Sequence, residues 1–279
     1  MTTPIAAGTT RRIRPSRGWA TMNLKEVWEY RELLYFLAWR DIKVRYKQTV
    51  LGVAWAALQP VFTLIIFSVI FGWLVKVPSD DVPYPFFAFC ALLPWQLFTS
   101  SMSATSNSLV ANQHLITKIA FPRLVIPLSA AVVSLLDFSI AFLVLLAMMV
   151  FYKITPTIAM LTLPIFILLT MATAFGIGTW LSSLNVKYRD VRHILPFLTQ
   201  GWMFATPVLY SSILVPEPWR LLYALNPMVG AIEGFRWALL GTNNASGPMV
   251  LVSTSVTVML LLSGVCYFHR KERTFADRV

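Results

Sequence analysis

Six runs of this chain carry almost no charge: 51–75, 84–110, 124–152, 156–184, 194–213 and 248–268. Each reaches the roughly 20 residues that a helix needs to cross a hydrocarbon core. Asp137 is the one charged residue inside them. A helix of a water-soluble fold shows water a polar face, and these runs have none to show. In lipid, backbone polar groups must be satisfied within the segment, so each run is expected to be helical. The expected fold is an all-α membrane protein with six transmembrane helices.

The basic residues take sides. Of the 23 Lys and Arg, 19 fall before the first run, after the second, after the fourth and after the sixth. The alternate gaps hold only Lys76, Lys153, Arg220 and Arg236. Basic gaps stay on the cytoplasmic side, which predicts cytosolic termini at both ends of a multi-pass protein. The net charge of +11 is then a topology signal, and membrane lipid is the expected anionic neighbour. A mean hydropathy of +0.67 argues against nucleic acid as the partner.

Three regions follow. Residues 1–23 read as a disordered basic cytosolic lead. Residues 24–50 read as an amphipathic interface segment, and 51–279 as the transmembrane domain with a cytosolic tail. Over 24–47, Lys25, Glu29, Glu32, Arg40, Lys43 and Lys47 fall in one helical arc of about 80°. Leu24, Val27, Trp28, Tyr35, Ala38, Ile42 and Tyr46 gather opposite, with Phe36 breaking the polar arc. Such a helix is expected to lie in the membrane interface. The gap at 214–247 holds two short apolar stretches divided by Asn226-Pro227. These are too short to span, and predict re-entrant periplasmic helices between spans five and six. Glu233 and Arg236 are three apart there and can pair on one helical face.

Much chemistry is missing. No Gly is followed by Lys, so there is no phosphate loop for ATP. His114, His193 and His269 are scattered without metal-ligand spacing, and no cofactor is expected in the chain. Cys90 and Cys266 lie near opposite faces and are predicted unpaired. No nucleophile and base stand together, which argues against a membrane-embedded glycan enzyme. An ion-coupled secondary transporter would need midplane acids, and only Asp137 qualifies. Asp137 is read instead as an acid bonded to hydroxyls or backbone of a neighbouring span. What remains is a conduit whose motor is a separate chain.

The run from Trp39 to Lys47 (WRDIKVRYK), then Leu51-Gly52, Trp55 and Pro60, resembles the opening of bacterial polysaccharide exporter permeases of the ABC-2 type. Pro94-Trp95, Asn185-Val186-Lys187-Tyr188-Arg189-Asp190 and Pro207 fit the same pattern, as do Asn226-Pro227-Met228 with Arg236 and the run Glu272 to Asp277. The resemblance runs from about residue 24 onward. It implies a homodimeric permease subunit in the bacterial inner membrane, paired with two ATP-binding cassette subunits that bind ATP and Mg. The cargo would be lipid-linked polysaccharide, most of all O-antigen, moved from cytosol to periplasm.

The resemblance also implies roles. Arg40, Asp41, Lys43 and Arg45 would contact the ATPase, and Lys118, Arg123, Arg189 and Asp190 would sit in coupling loops. Leu51 and Gly52 would form the turn at the substrate entrance. Asn226, Pro227, Glu233 and Arg236 would belong to the exit helices. A sliding sugar polymer needs weak, repeated contacts, and aromatic faces supply them. Trp55, Phe62 and Phe71 in the first run, and Phe197, Trp202, Phe204 and Tyr210 in the fifth, are the candidate channel lining. The small hydroxyls of 99–108 suit either a wet path or close helix packing.

Overall fold

The computed structural model describes residues 24–47, 54–79, 82–118, 121–241, 247–272 and Phe275. The lead at 1–23 and the Leu51-Gly52 turn lie outside them. Among the described residues every regular element is helical. The helices are α1 (Leu24–Glu29), α2 (Arg31–Lys47), α3 (Ala54–Phe67), α4 (Tyr84–Ala111), α5 (Gln113–Lys118), α6 (Val125–Phe151), α7 (Leu163–Lys187), α8 (Val191–Phe204), α9 (Glu217–Tyr223), α10 (Pro227–Leu240) and α11 (Gly247–Glu272). A π-helical stretch, Ser68–Leu74, continues α3. Its first hydroxyl, Ser68 Oγ, donates back to Leu64 O at 2.7 Å.

Among the described residues, four stretches are long and apolar enough to cross a membrane: Ala54–Leu74, Val125–Phe151, Ile158–Lys187 and Gly247–Glu272. The other two uncharged runs depart from the expected six simple spans, for different reasons. Helix α4 has 28 residues and no charge, but its second half is diluted by Ser, Thr and Asn. It buries 19 of those residues and forms the axis of the bundle, against α6 on one side and α7 on the other. The fifth run breaks. Helix α8 has 14 residues, about 21 Å at a rise of about 1.5 Å each. Pro207 cannot continue a helix and disfavours it at Thr206, so the chain turns over 205–211 instead.

Helix α11 packs on the outer side of α7. A Cβ on Gly264 would stand 2.1 Å from the Gly176 carbonyl oxygen, so only glycine permits this approach. Thr173 and Thr257 share a hydrogen bond across the same contact at 2.9 Å. The hydroxyl-rich end of α4 serves packing as well: Ser101, Thr105, Ser106 and Ser108 are buried.

Residues 217–240 are mostly helical. Helix α9 leads into α10, which is wedged among α4, α7 and α11. Twelve of the 14 residues of α10 are buried.

The leading segment is helical over 24–47, with one break. It bends at Tyr30 into α1 and α2. Leu37 and Ala38 are buried, while Trp28 and Tyr35, expected on the apolar side, are exposed. Leu37 joins a cluster with Leu124, Val125 and Ile126 at the start of α6. Farther on, Arg45 and Tyr46 reach Asp137. Asp137 stands about 18 Å of helix beyond Val125. Helix α2 therefore climbs beside α6 toward its middle.

Candidate conduit and coupling site

Asp137 lies near the centre of α6, where an isolated charge would be costly in lipid. Its neighbours are not the hydroxyls or backbone of another span. The Arg45 guanidinium pairs with one carboxylate oxygen, and the Tyr46 hydroxyl donates to the other. Both come from the last turn of α2. Opposite charges thus cancel at the point where α2 ends.

Nearer the start of α6, Arg40 makes the second tie. Its guanidinium donates to Asp41 at 2.7 and 2.9 Å and to Asn112 Oδ1 at 2.6 Å. Asn112 caps the end of α4, so α2 is fastened to two helices at two levels. Lys43 is exposed, with its ammonium 5.3 Å from the Trp39 ring. Lys118, Arg189 and Asp190 are also exposed, at the same end of the bundle.

Arg123 is engaged rather than free. Its backbone N–H donates to Glu272 Oε1 at 3.0 Å, and its guanidinium donates to the Glu272 carbonyl. Glu272 Oε2 lies 2.9 Å from His269 Nδ1. Phe275 is buried edge-on against Phe268, with centroids 5.2 Å apart. Leu37, Ile116, Val186 and Val265 complete this end's own apolar cluster. Asn185 adds a tie from α7 to α4, donating to Ser106 O at 3.2 Å and Asn107 Oδ1 at 3.1 Å. The leading helix, the loop after α4, the end of α7 and the tail therefore meet in one packed unit.

At the opposite end Arg236 is the hub. It is fully buried, and its guanidinium lies 3.9 Å from the Phe87 ring centroid. It pairs with Glu233 at 3.2 Å and donates to Tyr210 O and Val208 O, each at 3.0 Å. The last two bonds hold the broken stretch after α8. Asn226 works on the same stretch. Its Oδ1 accepts from Met228 N, the start of α10, and from Trp202 Nε1. Its Nδ2 donates to Ala205 O and Thr206 Oγ1. Pro227, with no N–H to satisfy, fits the first helical position.

The seven aromatic candidates divide. Trp55, Phe62, Phe197 and Phe204 present exposed rings, at 59%, 58%, 78% and 54%. Phe71 is half-buried and edge-on to Phe67, with centroids 5.9 Å apart. Trp202 is half-buried against Phe98, with its indole N–H committed to Asn226. Tyr210 shares a hydrogen bond with Tyr223 at 2.9 Å. Burial, then that bond to Tyr210, pushes the Tyr223 phenol up.

Several partners escaped sequence reasoning. Asn112 and Glu272 each sit at a helix end, which is a weak signal. The pairing of Arg45 with Asp137 spans 92 positions and leaves no local trace.

The profile of the ABC-2 type transporter family matches residues 32–240. The O-antigen export system permease protein RfbA of Myxococcus xanthus is 29% identical over 259 residues, 92% of this chain and 98% of its own length. An RfbA from Klebsiella pneumoniae is 30% identical over 248 residues, covering 88% and 94%. The polysialic acid transport protein KpsM of Escherichia coli is 23% identical over 239 residues, covering 84% and 91%. The family match takes in the Arg40 tie, the α6 ion pair and the Arg236 hub, and on that ground the chain belongs to the ABC-2 type transporter family, as a membrane domain of it.

Proposed function

We propose that this chain is the permease subunit of an ATP-driven exporter of lipid-linked polysaccharide, O-antigen foremost. It moves the polymer from cytosol to periplasm across the bacterial inner membrane. The carrying observation is likeness over nearly the whole length to O-antigen export permeases. Two copies form the conduit, and two separate cassette subunits bind ATP and Mg. The exposed aromatic rings of α3 and α8 support this reading, because one copy leaves them uncovered. Facing one another across a dimer axis, such rings offer sugars a tolerant stacking surface.

Force enters at the basic end. The packed unit of α2, the loop after α4, the end of α7 and the tail gives an ATPase a stiff handle. Movement of α2 pulls on α6 through Arg45 and Asp137. At the other end the Arg236 and Asn226 ties hold the exit segment in shape. An ion-coupled carrier is disfavoured because the acid in the middle of α6 is already paired with Arg45, and the buried Glu233 with Arg236.

Deletion of the gene tests the proposal. Surface polysaccharide should vanish while lipid-linked polymer accumulates inside the cell. Export should require a cassette ATPase with an intact phosphate loop. Export that persists without ATP hydrolysis but stops when the proton gradient collapses would sink the proposal.

A further inference from the structure

Two helices expose carboxamides where lipid offers them nothing to bond. Gln59 on α3 and Gln200 on α8 are both exposed, and neither carboxamide bonds to a described residue. Gln59 is eight residues past the start of its uncharged run and Gln200 six, about 12 and 9 Å of helix. A carboxamide left in lipid at that depth loses the hydrogen bonds it makes in water. Exposed hydroxyls on the other spans escape that loss. Ser139 Oγ donates to Leu135 O at 2.7 Å, and Ser255 Oγ to Leu251 O at 2.8 Å, each within its own helix. The two glutamines make no such bond, so their faces of α3 and α8 suit water and a polar ligand.

The surroundings of the two amides repeat. Trp55 and Phe62 stand seven apart on α3, and Phe197 and Phe204 seven apart on α8, all four exposed. Gln59 falls between the first two, four residues after Trp55 and three before Phe62. Gln200 falls between the second two, three after Phe197 and four before Phe204. Each amide therefore lies within about 60° of the ring on either side of it. Space is open next to Gln200, where a Cβ on Gly201 would meet nothing within 4 Å. Neither face is charged: α3 and its π-helical continuation carry no charge, and α8 none from Ile194 onward.

We infer that Gln59 and Gln200 bind sugar hydroxyls in the conduit, and that the cargo is an uncharged, hydroxyl-rich glycan. A ring covers the C–H face of a sugar, while a carboxamide both donates to its hydroxyls and accepts from them. An acidic polymer would find no cation on these faces to offset its charge. The inference rests on the export reading above and adds to it the class of sugar.

Sugar analysis of the surface polymer lost on gene deletion separates the two. Neutral sugars are expected. A polymer rich in uronic or sialic acids overturns this inference and leaves export standing, whereas no lost polymer at all takes the export reading down with it. The second arm measures surface polysaccharide in cells that carry the full exporter. Gln59→Leu/Gln200→Leu keeps the bulk and removes the hydrogen bonds. It should cut export about tenfold, at roughly threefold for each amide. Gln59→Asn/Gln200→Asn retains the amides and should recover part of the loss. Ser255→Leu, at an exposed site outside the conduit, should match wild type. Unchanged export by the leucine variant, or an equal loss in the asparagine variant, overturns the inference. So does a fall in the crosslinked dimer fraction of the leucine variant in membranes, which would make the amides contacts between copies. Immunoblotting of membranes checks that each variant is present in equal amount.

Discussion

Single residues carry the polar structure of this bundle, and pairs rather than lone charges decide it. Arg45 and Asp137 are each partly exposed, so their link is worth about 1 kcal/mol in water and more where lipid excludes water. Arg45→Glu should place two acids together and impair export. Adding Asp137→Arg should restore the opposite charges and most of the transport, measured as surface polysaccharide. No recovery in the swapped double variant would count against the link. Asp137→Asn should leave export measurable, because Tyr46 still finds an acceptor. Arg236 is the harsher case. Replacing it with Met strands Glu233 in a buried site and frees two carbonyls, a loss on the order of 3–5 kcal/mol. Thermal unfolding in detergent should show it, and an unchanged midpoint would mean that other bonds hold the stretch after α8. The spacing of Glu233 and Arg236 made their pair readable from sequence. The carbonyls of Val208 and Tyr210 were not, since no local pattern points 26 or 28 positions back.

Elements were legible where charge is absent over a full span, because lipid leaves the backbone no option but helix. The bounds of α6 follow its uncharged run to within a residue and those of α11 nearly so, while α3 reaches the end of its run only with its π-helical continuation and α7 starts at Leu163, well inside its own. Legibility failed where tertiary contacts overrule composition. The fifth run has the right length and polarity, yet Pro207 and the pull of Arg236 and Asn226 turn its second half aside. The leading helix shows its charged arc in the sequence, but nothing local tells that Leu37 and the pair at Asp137 set it against α6. The α7–α11 contact gives an element-scale test. Gly264→Ala must push against the Gly176 carbonyl and should cost about 1–3 kcal/mol. Gly201→Ala, with nothing within 4 Å of its new methyl, serves as the silent control. Equal melting temperatures for the two variants would contradict the close approach. For the leading element, Lys43→Glu should let the assembled complex hydrolyse ATP while exporting less. Full export by that variant would show that this face of α2 does not transmit force.

At the scale of the whole molecule, one chain leaves wide apolar faces without a partner, on α3 and α8 above all. Lipid and a second copy can divide them, and the aromatic rings tell which is which. Changing Trp55, Phe62, Phe197 or Phe204 to Ala should lower export severalfold where the ring faces the conduit. The same change should be nearly silent where it faces lipid. Four silent variants would remove these rings from the path. Orientation is tested separately: in intact cells, an impermeant thiol reagent should reach a cysteine placed at position 217 but not one at 189. The burial of α10 has a further consequence, one of birth rather than of transport. Its socket is built from α4, α7 and α11, and α11 follows α10 in the chain. Glu233 and Arg236 thus emerge from the ribosome before the wall that encloses them exists. Until α11 enters the bilayer, the half-made protein must keep this helix in the insertion machinery or in water. A nascent chain halted at 241 should therefore leave a cysteine at position 231 open to maleimide, where the finished protein seals it. Quality control has a matching window, in which a stalled or misinserted α11 exposes buried charge and marks the chain for removal.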